Sequence, residues 1–211
     1  MGRGERTRGP DERTRGRGEQ TRRRILDAAA ESLRTRGFAA SSTRAIAAIG
    51  GFNPALTFYY FGSLDELLLS ALENASRDRL DRYESEARAA RTATELIELM
   101  RRIYRDDLES GFIRVASEMV AGAVAKPELG PRVVELMQPW IDLAEESIAR
   151  VLEGTPLDGL ADPGELASAA VMFYLGANLF TRLVPERDAV EPLLRAAAGA
   201  AALADAQAGR A

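Results

Sequence analysis

From Glu19 onward the chain is built of helix-forming blocks cut by glycine and proline, and that pattern points to an all-α fold. Ala, Leu, Arg and Glu dominate, and no run alternates β-branched with polar residues as a half-buried strand would. Gly37 follows Arg34 and Arg36, a cation-rich last turn with its glycine, and closes a first helix over 19–36. Ser41, Ser42 and Thr43 offer an N-cap for a short second helix that ends near Gly50-Gly51. Asn53-Pro54 joins a cap to a proline at the first helical position and opens a third. Ser63 with Glu66 forms a capping box for a long fourth helix reaching the high 80s. Five more helices are expected near 93–108, 111–125, 129–153, 164–183 and 187–204, jointed at Pro127, Gly154-Thr155-Pro156, Pro163-Gly164 and Pro185. Pro139, inside the seventh, is expected to kink or split it. The expectation is nine helices and no strand.

Residue types narrow the chemistry. The chain has no Cys, hence no disulfide, thiolate metal site or cysteine nucleophile. It has no His, which removes the commonest general base and metal ligand. No paired carboxylates stand at a recognisable catalytic spacing, so neither an enzyme nor a metal or cofactor is expected. No stretch reaches the roughly 18–20 apolar residues of a membrane span, and the arginine-rich start lacks the apolar core of a secretory signal. A cytoplasmic protein without membrane contact is the expectation. The net charge of −4 conceals a division: residues 1–62 carry +6 and the rest −10. A basic reader joined to an acidic body fits nucleic-acid binding, because only the contacting face must be positive.

Residues 1–18 are rich in Gly and Arg, nearly without apolar anchors, and read as a disordered arm. They hold a seven-residue echo, Glu5-Arg6-Thr7-Arg8-Gly9, then Glu12-Arg13-Thr14-Arg15-Gly16, then Glu19-Gln20-Thr21-Arg22. No apolar a/d positions accompany it, so it is no coiled coil. Such an arm either touches phosphates or a minor groove, or is a solvated tail.

The span 42–61 is a short helix, a glycine turn and a second short helix. Ile46 and Ile49 on the first, Thr57 and Phe61 on the second, and Phe52 in the turn would pack on Ile25, Ala29, Leu33 and Phe38. That burial turns Pro54, Ala55, Phe58 and Tyr59 outward. Aromatics exposed on a short helix are costly unless something covers them, and a DNA backbone can: tyrosine hydroxyls donate to phosphate oxygens and rings lie along sugars. Packing within a helical bundle would explain Ile46 and Phe61 but not Phe58-Tyr59-Tyr60 beside an Arg-rich segment.

Residues 21–72, from Thr-Arg-Arg-Arg-Ile-Leu-Asp-Ala-Ala to Phe-Gly-Ser-Leu-Asp-Glu-Leu-Leu, resemble the N-terminal domain of the TetR family of repressors. Ile-Leu-Asp-Ala-Ala, Arg-Gly-Phe at the end of helix one, Ile46-Ala47 and the Tyr-Tyr-Phe-Gly-Ser exit carry the likeness together. The resemblance implies a TetR-like nine-helix architecture and a dimer whose third helices enter successive major grooves of a palindromic, double-stranded operator. On that pattern Arg44 meets a base or phosphate, Pro54, Ala55 and Leu56 lie nearest base edges and thymine methyls, and Tyr59 and Tyr60 hold phosphates. Asn53 serves as helix cap or DNA contact. Two positions depart from the pattern: Leu64 stands where the family usually has a phosphate-gripping lysine, and Phe58 where a tyrosine is frequent.

The expected organisation is an arm over 1–18, a helix-turn-helix domain over 19–62, an effector-binding and dimerisation domain over 63–206, and a flexible tail over 207–211. Met137-Gln138-Pro139-Trp140-Ile141-Asp142-Leu143 and Tyr174-Leu175-Gly176-Ala177 resemble one subset of TetR-like sensors. Large residues on the middle helices are cavity candidates or plain core: Met100, Tyr104, Phe112, Met119, Trp140, Phe173 and Tyr174. Glu118 and Asn178 interrupt apolar stretches and need a partner, which is a ligand, an arginine such as Arg114 or Arg182, or a water. Leu166, Ala170, Phe173, Ala177 and Phe180, with Leu193, Leu194, Ala197 and Ala201, form stripes that are either internal core or a homodimer face. The family analogue is a four-helix bundle from the last two helices of each subunit.

The function these features point to is a regulator, in its leading form a repressor, released from its operator by a small hydrophobic or amphipathic effector. Effector binding would bias a second arrangement in which the fourth helix swings. The alternative is a DNA-binding dimer without such a ligand, controlled by a protein partner or by its own level.

Overall fold

The structure is a computed structural model that describes residues 10–155, 158–159, 161–183 and 190–208. Nine α-helices account for these residues, with one short 3-10 turn at Pro127–Leu129 and no strand among them. They are α1 (Pro10–Arg36), α2 (Thr43–Gly50), α3 (Ala55–Phe61), α4 (Leu64–Ala89), α5 (Ala93–Ser110), α6 (Phe112–Ala125), α7 (Gly130–Leu152), α8 (Pro163–Leu183) and α9 (Val190–Ala208). The chain divides into two compact units, the first ending at Ala71 and the second beginning at Leu72, so the division falls inside α4.

In the first unit α1 packs chiefly on α2. Ile25, Ala29 and Leu33 are fully buried at four-residue spacing along α1, and Ile46 joins them from α2. Ser32 and Ser41, both buried, share a hydrogen bond of 2.9 Å, so their burial leaves no orphan. Phe38, Ile49, Phe52 and Phe61, expected in the same core, are half-buried at its margin.

Residues 10–18 are not a disordered arm but the opening turns of α1. Those turns need no nucleus of their own, because they propagate from the packed turns after Ile25, and propagation is far cheaper than nucleation. Residues 1–9 lie outside the described residues.

In the second unit α7 lies along α8 and α5 along α9, with α6 against α5, α7 and α8. Thr92 caps α5, accepting from the Glu95 N–H at 3.2 Å. Asp205, far along α9, receives the Ala93 and Thr94 N–H groups and the Thr94 hydroxyl at 2.5–3.1 Å. Pro139 neither ends nor splits α7, which runs unbroken past it. Pro139 and Glu135 are both exposed, so the gap the proline leaves in the backbone bonding falls on the outer side of α7. The expected tail begins later than its sequence suggests: Gln207 and Ala208 are the last residues of α9, carried on by propagation from the turn that Asp205 anchors. The joints at Pro156 and Pro185, a start of the last helix before Val190, and residues 209–211 lie outside the described residues.

Candidate DNA-reading head and ligand cavity

The head is assembled from backbone chemistry that its residues dictate locally. Ser42 has extended backbone (φ −139°, ψ 158°), and its Oγ accepts from the Ala45 N–H at 3.2 Å, capping α2. The helix ends on Gly51 in the left-handed region at φ +64°, where a Cβ would be strained. Gly50 is required for a different reason: a Cβ there would collide with the Phe52 ring and lie 2.9 Å from the Ala28 Cβ. Asn53 Oδ1 then accepts from the Ala55 N–H at 2.9 Å, and the Asn53 carbonyl accepts from Leu56 at 2.9 Å. Asn53 is thus the cap of α3 in the free chain. Ser63 Oγ accepts from the Glu66 N–H at 3.1 Å and starts α4.

Thr57, wholly buried, marks the inner side of α3. Its outer side presents Ala55, Phe58 at 57% exposure and Tyr59 at 80%. Asn53 and Arg44 are exposed, whereas Pro54, Leu56 and Tyr60 are half-buried. The Tyr59 and Tyr60 rings meet edge to face at 5.0 Å, and the Arg22 guanidinium lies over the Phe61 ring at 5.2 Å. Arg22, Arg23 and Arg24 are exposed on α1, so the unit that shows these aromatics also shows cations. Leu64, in the position where a lysine is usual, is half-buried at the start of α4.

The second unit holds a half-open cavity of about 400 Å³ walled by α4, α5, α6, α7 and α8. Met100, Phe112, Trp140 and Tyr174, four of the sequence candidates, stand on its wall. The other five do not. Tyr104 and Phe173 pack with Ile113, Ala177, Val190 and Leu194 in a cluster of core residues, and Met119 is wholly buried away from the wall. Glu118 is half-buried off the wall. Asn178, 4% exposed, accepts from the Ser117 hydroxyl at 3.1 Å, so a neighbouring serine partners its amide oxygen. Much of the wall is plain aliphatic residues such as Leu96, Ile97, Leu136 and Val171, which nothing in the sequence distinguishes from core.

Three polar wall residues were missed: Ser76, Asp107 and Ser147. Two of them were within reach of the helical period. Asp107 falls on the stripe Met100, Ile103, Tyr104 of α5, and Ser147 on Leu143 and Val151 of α7, where polar residues break an otherwise apolar face. Ser76 accepts from the Trp140 indole N–H at 2.7 Å. Asp107, 1% exposed, pairs through Oδ1 with Arg79 of α4 and accepts the Tyr174 hydroxyl at Oδ2. The Arg79 guanidinium lies 4.7 Å from the centre of the Phe112 ring. Burial pushes Arg79 below its ordinary value and Tyr174 well above, so the phenol keeps its proton and donates.

The expected dimer stripe is also redistributed. Ala177, Leu194 and Ala201 are buried within the chain, and Leu166 and Ala170 reach the cavity wall. Ala197 is half-buried, while Phe180 and Leu193 are exposed at 49% and 57%. α8 is apolar on two sides, and the expected stripe runs inward at Ala170, Phe173 and Ala177 while Leu166 and Phe180 stay exposed. Its outer side carries Ala169, Met172, Gly176, Leu179 and Leu183, all exposed at three- and four-residue spacing. On α9 the exposed series is Leu193, Ala196, Ala200 and Leu203.

Among the described residues no group of His, Cys, Asp or Glu is placed to hold a metal ion, and no helix is long and apolar enough to cross a membrane.

Residues 25–71 match the family model described as bacterial regulatory proteins, tetR family, a stretch ending at the last residue of the first unit. The resemblance carried by residues 21–72 is thereby shown. No curated protein matches the chain. Among solved structures, one described as a TetR-family transcriptional regulator from Rhodococcus sp. superposes with a TM-score of 0.70 at 22% identity, covering 88% of this chain and 98% of that one. The transcriptional regulator FadR from Bacillus subtilis, in complex with stearoyl-CoA, gives a TM-score of 0.66 at 16% identity over 83% of this chain and 95% of its own. The multidrug binding protein EbrR, complexed with ethidium, gives 0.61 at 24% identity over 84% and 96%. The fold is the all-helical one of these regulators.

Proposed function

We propose that this chain, a TetR-family transcriptional regulator by its N-terminal match and its fold, is a repressor that reads a palindromic operator as a homodimer and is released by a small-molecule effector. The observation that carries the DNA reading is the outer side of α3, where Phe58 and Tyr59 stand exposed on a helix of seven residues in a unit with exposed Arg22, Arg23, Arg24 and Arg44. Exposed aromatics beside cations suit a phosphate backbone, with tyrosine hydroxyls donating to phosphate oxygens and guanidiniums neutralising charge. Ala55, and Pro54 and Leu56 beside it, offer apolar contact to thymine methyls. Arg44 supplies the charged contact from α2. Asn53 keeps its backbone bonds as cap and remains exposed at the same surface.

Two subunits would join through the outer sides of α8 and α9, whose exposed Met172, Leu179, Leu183, Leu193 and Leu203 make a surface that water leaves uncompensated. Two-fold symmetry matches a palindromic site, with reading helices about 34–36 Å apart. The cavity lies in the size range of small-molecule sites, and two of the neighbouring folds were solved with stearoyl-CoA and ethidium. Leu72 and Ser76 of α4 stand on the cavity wall, and Leu64–Ala71 of the same helix belong to the first unit. An effector that favours one placement of α4 would thus shift the populations of DNA-competent and released forms.

The test is the double variant Arg44→Ala, Tyr59→Ala, compared with the parent on DNA selected from a random pool. The variant is expected to keep its helical circular dichroism and dimeric mass, because both side chains are exposed, and to lose operator binding. Parental binding by the variant would refute this assignment of the head.

A further inference from the structure

The cavity wall has an uneven chemistry. Asp107 is its one charged residue among the described residues; the wall holds no Arg, Lys or Glu. Both Asp107 oxygens are already engaged, Oδ1 by Arg79 and Oδ2 by Tyr174. Arg79 is 8% exposed and does not stand on the wall; its charge is directed at Asp107 and over the Phe112 ring. A negatively charged ligand therefore meets no cation. A positively charged ligand meets one carboxylate, and to use it must displace Arg79, leaving a buried guanidinium without its partner. The ion pair is neutral as a unit and closed to either sign of charge.

Polar capacity remains elsewhere. The Ser76 oxygen already accepts from Trp140. Ser147, on α7, is wholly buried, stands on the wall, and its Oγ has no hydrogen-bond partner. A buried hydroxyl without a partner carries a desolvation cost that a ligand group in reach would relieve.

We propose that this cavity admits an uncharged, largely apolar ligand bearing one hydrogen-bonding group, and that Ser147 is the residue that meets that group. The proposal rests on the reading of the cavity as the effector site, and it deepens that reading by naming the chemical class. Neutral alcohols, ketones and esters with aliphatic or aromatic bodies satisfy it; carboxylates and ammonium compounds do not.

Trp140 is the only tryptophan and stands on the wall, so its fluorescence reports occupancy in the full chain without a label. Titration with decan-1-ol, decanoate and decylammonium, matched in length and different in charge, is expected to give a dissociation constant for the alcohol at least tenfold below that of either ion. Ser147→Ala is expected to weaken the alcohol at least threefold and to leave the response to decane unchanged. Equal or tighter binding of either ion overturns the exclusion of charge. Parental affinity of Ser147→Ala for decanol overturns the role given to Ser147. Absence of response to all three overturns the ligand class. Operator binding by the same preparations is measured separately by gel shift, so failure of the DNA reading and failure of the ligand class are distinguished.

Discussion

The two units of this chain place their aromatic side chains in opposite environments. In the first, Phe58 and Tyr59 stand out into solvent from a short helix capped by Asn53. In the second, Phe112, Trp140 and Tyr174 line an internal cavity, and two of them hold polar groups in place, Trp140 on Ser76 and Tyr174 on Asp107. An exposed aromatic face implies a large external partner, because only an extended surface can cover it. Aromatics lining a cavity imply a small partner whose contacts are fixed by side chains that are themselves hydrogen-bonded. The units differ equally in how they are held. The first relies on contacts close in sequence: Ser42 to Ala45, Asn53 to Ala55, Ser32 to Ser41. The second relies on groups brought together from afar, Arg79 with Asp107 and Tyr174, and Asp205 with Thr94, 111 residues away.

That contrast can be broken most severely at Asp107. Asp107→Leu leaves Arg79 buried and unpaired, and is expected to cost about 3–5 kcal/mol in urea unfolding. Arg79→Met combined with Asp107→Leu removes both charges and is expected to recover most of that loss. A double variant as unstable as the single one would show that the ion pair is not what holds this part of the second unit.

Ile46→Ala probes the first unit, where the removed side chain is wholly buried against α1. A loss of roughly 2–5 kcal/mol is expected for deleting such a side chain. Amide exchange should rise over residues 25–61 and stay parental in α5 through α9. Exchange rising equally in both would erase the distinction between a locally held head and a body held from afar.

The smallest effect is expected at Asp205. Burial pushes its carboxyl up, but the hydrogen bonds from Thr94, Ala93 and Thr92 outweigh it and hold the carboxyl below its ordinary value of 3.8. A depressed carboxyl stabilises the folded chain above its unfolded value and loses that contribution as pH falls through the folded one. Asp205→Asn is therefore expected to lower stability by about 1–2 kcal/mol at pH 7. Below pH 3.8 the difference should shrink towards nothing. A pH-independent difference would mean that the shape of the side chain, not its charge, ties α9 to α5.

The legibility of the two units follows the same division. Caps and glycine turns act over two to four residues, so Ser42, Gly51, Asn53 and Ser63 could be read where they stand. The outward side of α3 followed from its short amphipathic period. In the body the helices were legible, but on α8, apolar on two sides, the pattern did not say which side turns inward. The stripe through Ala177 turns inward except at Leu166 and Phe180, and one exposed throughout runs through Met172, Leu179 and Leu183. Tyr104 and Tyr174 looked alike in sequence, yet one packs among Ile113 and Leu194 and the other reaches the cavity. Residues 10–18 carry no sequence sign of their helix, because a helix propagating from a packed segment needs no apolar anchors of its own.

Sequence by itself determined the all-α class, the helix boundaries set by Gly, Pro and capping side chains, and the head with its exposed aromatics. These depend on hydrogen bonds and steric limits that operate within a turn or two of the chain. Tertiary structure alone decided the cavity, the pairing of Asp107 with Arg79 and Tyr174, the unpartnered Ser147 and the outward faces of α8 and α9. Each of those depends on which helix faces which, and that is fixed by the packing of whole helices rather than by any neighbour in sequence.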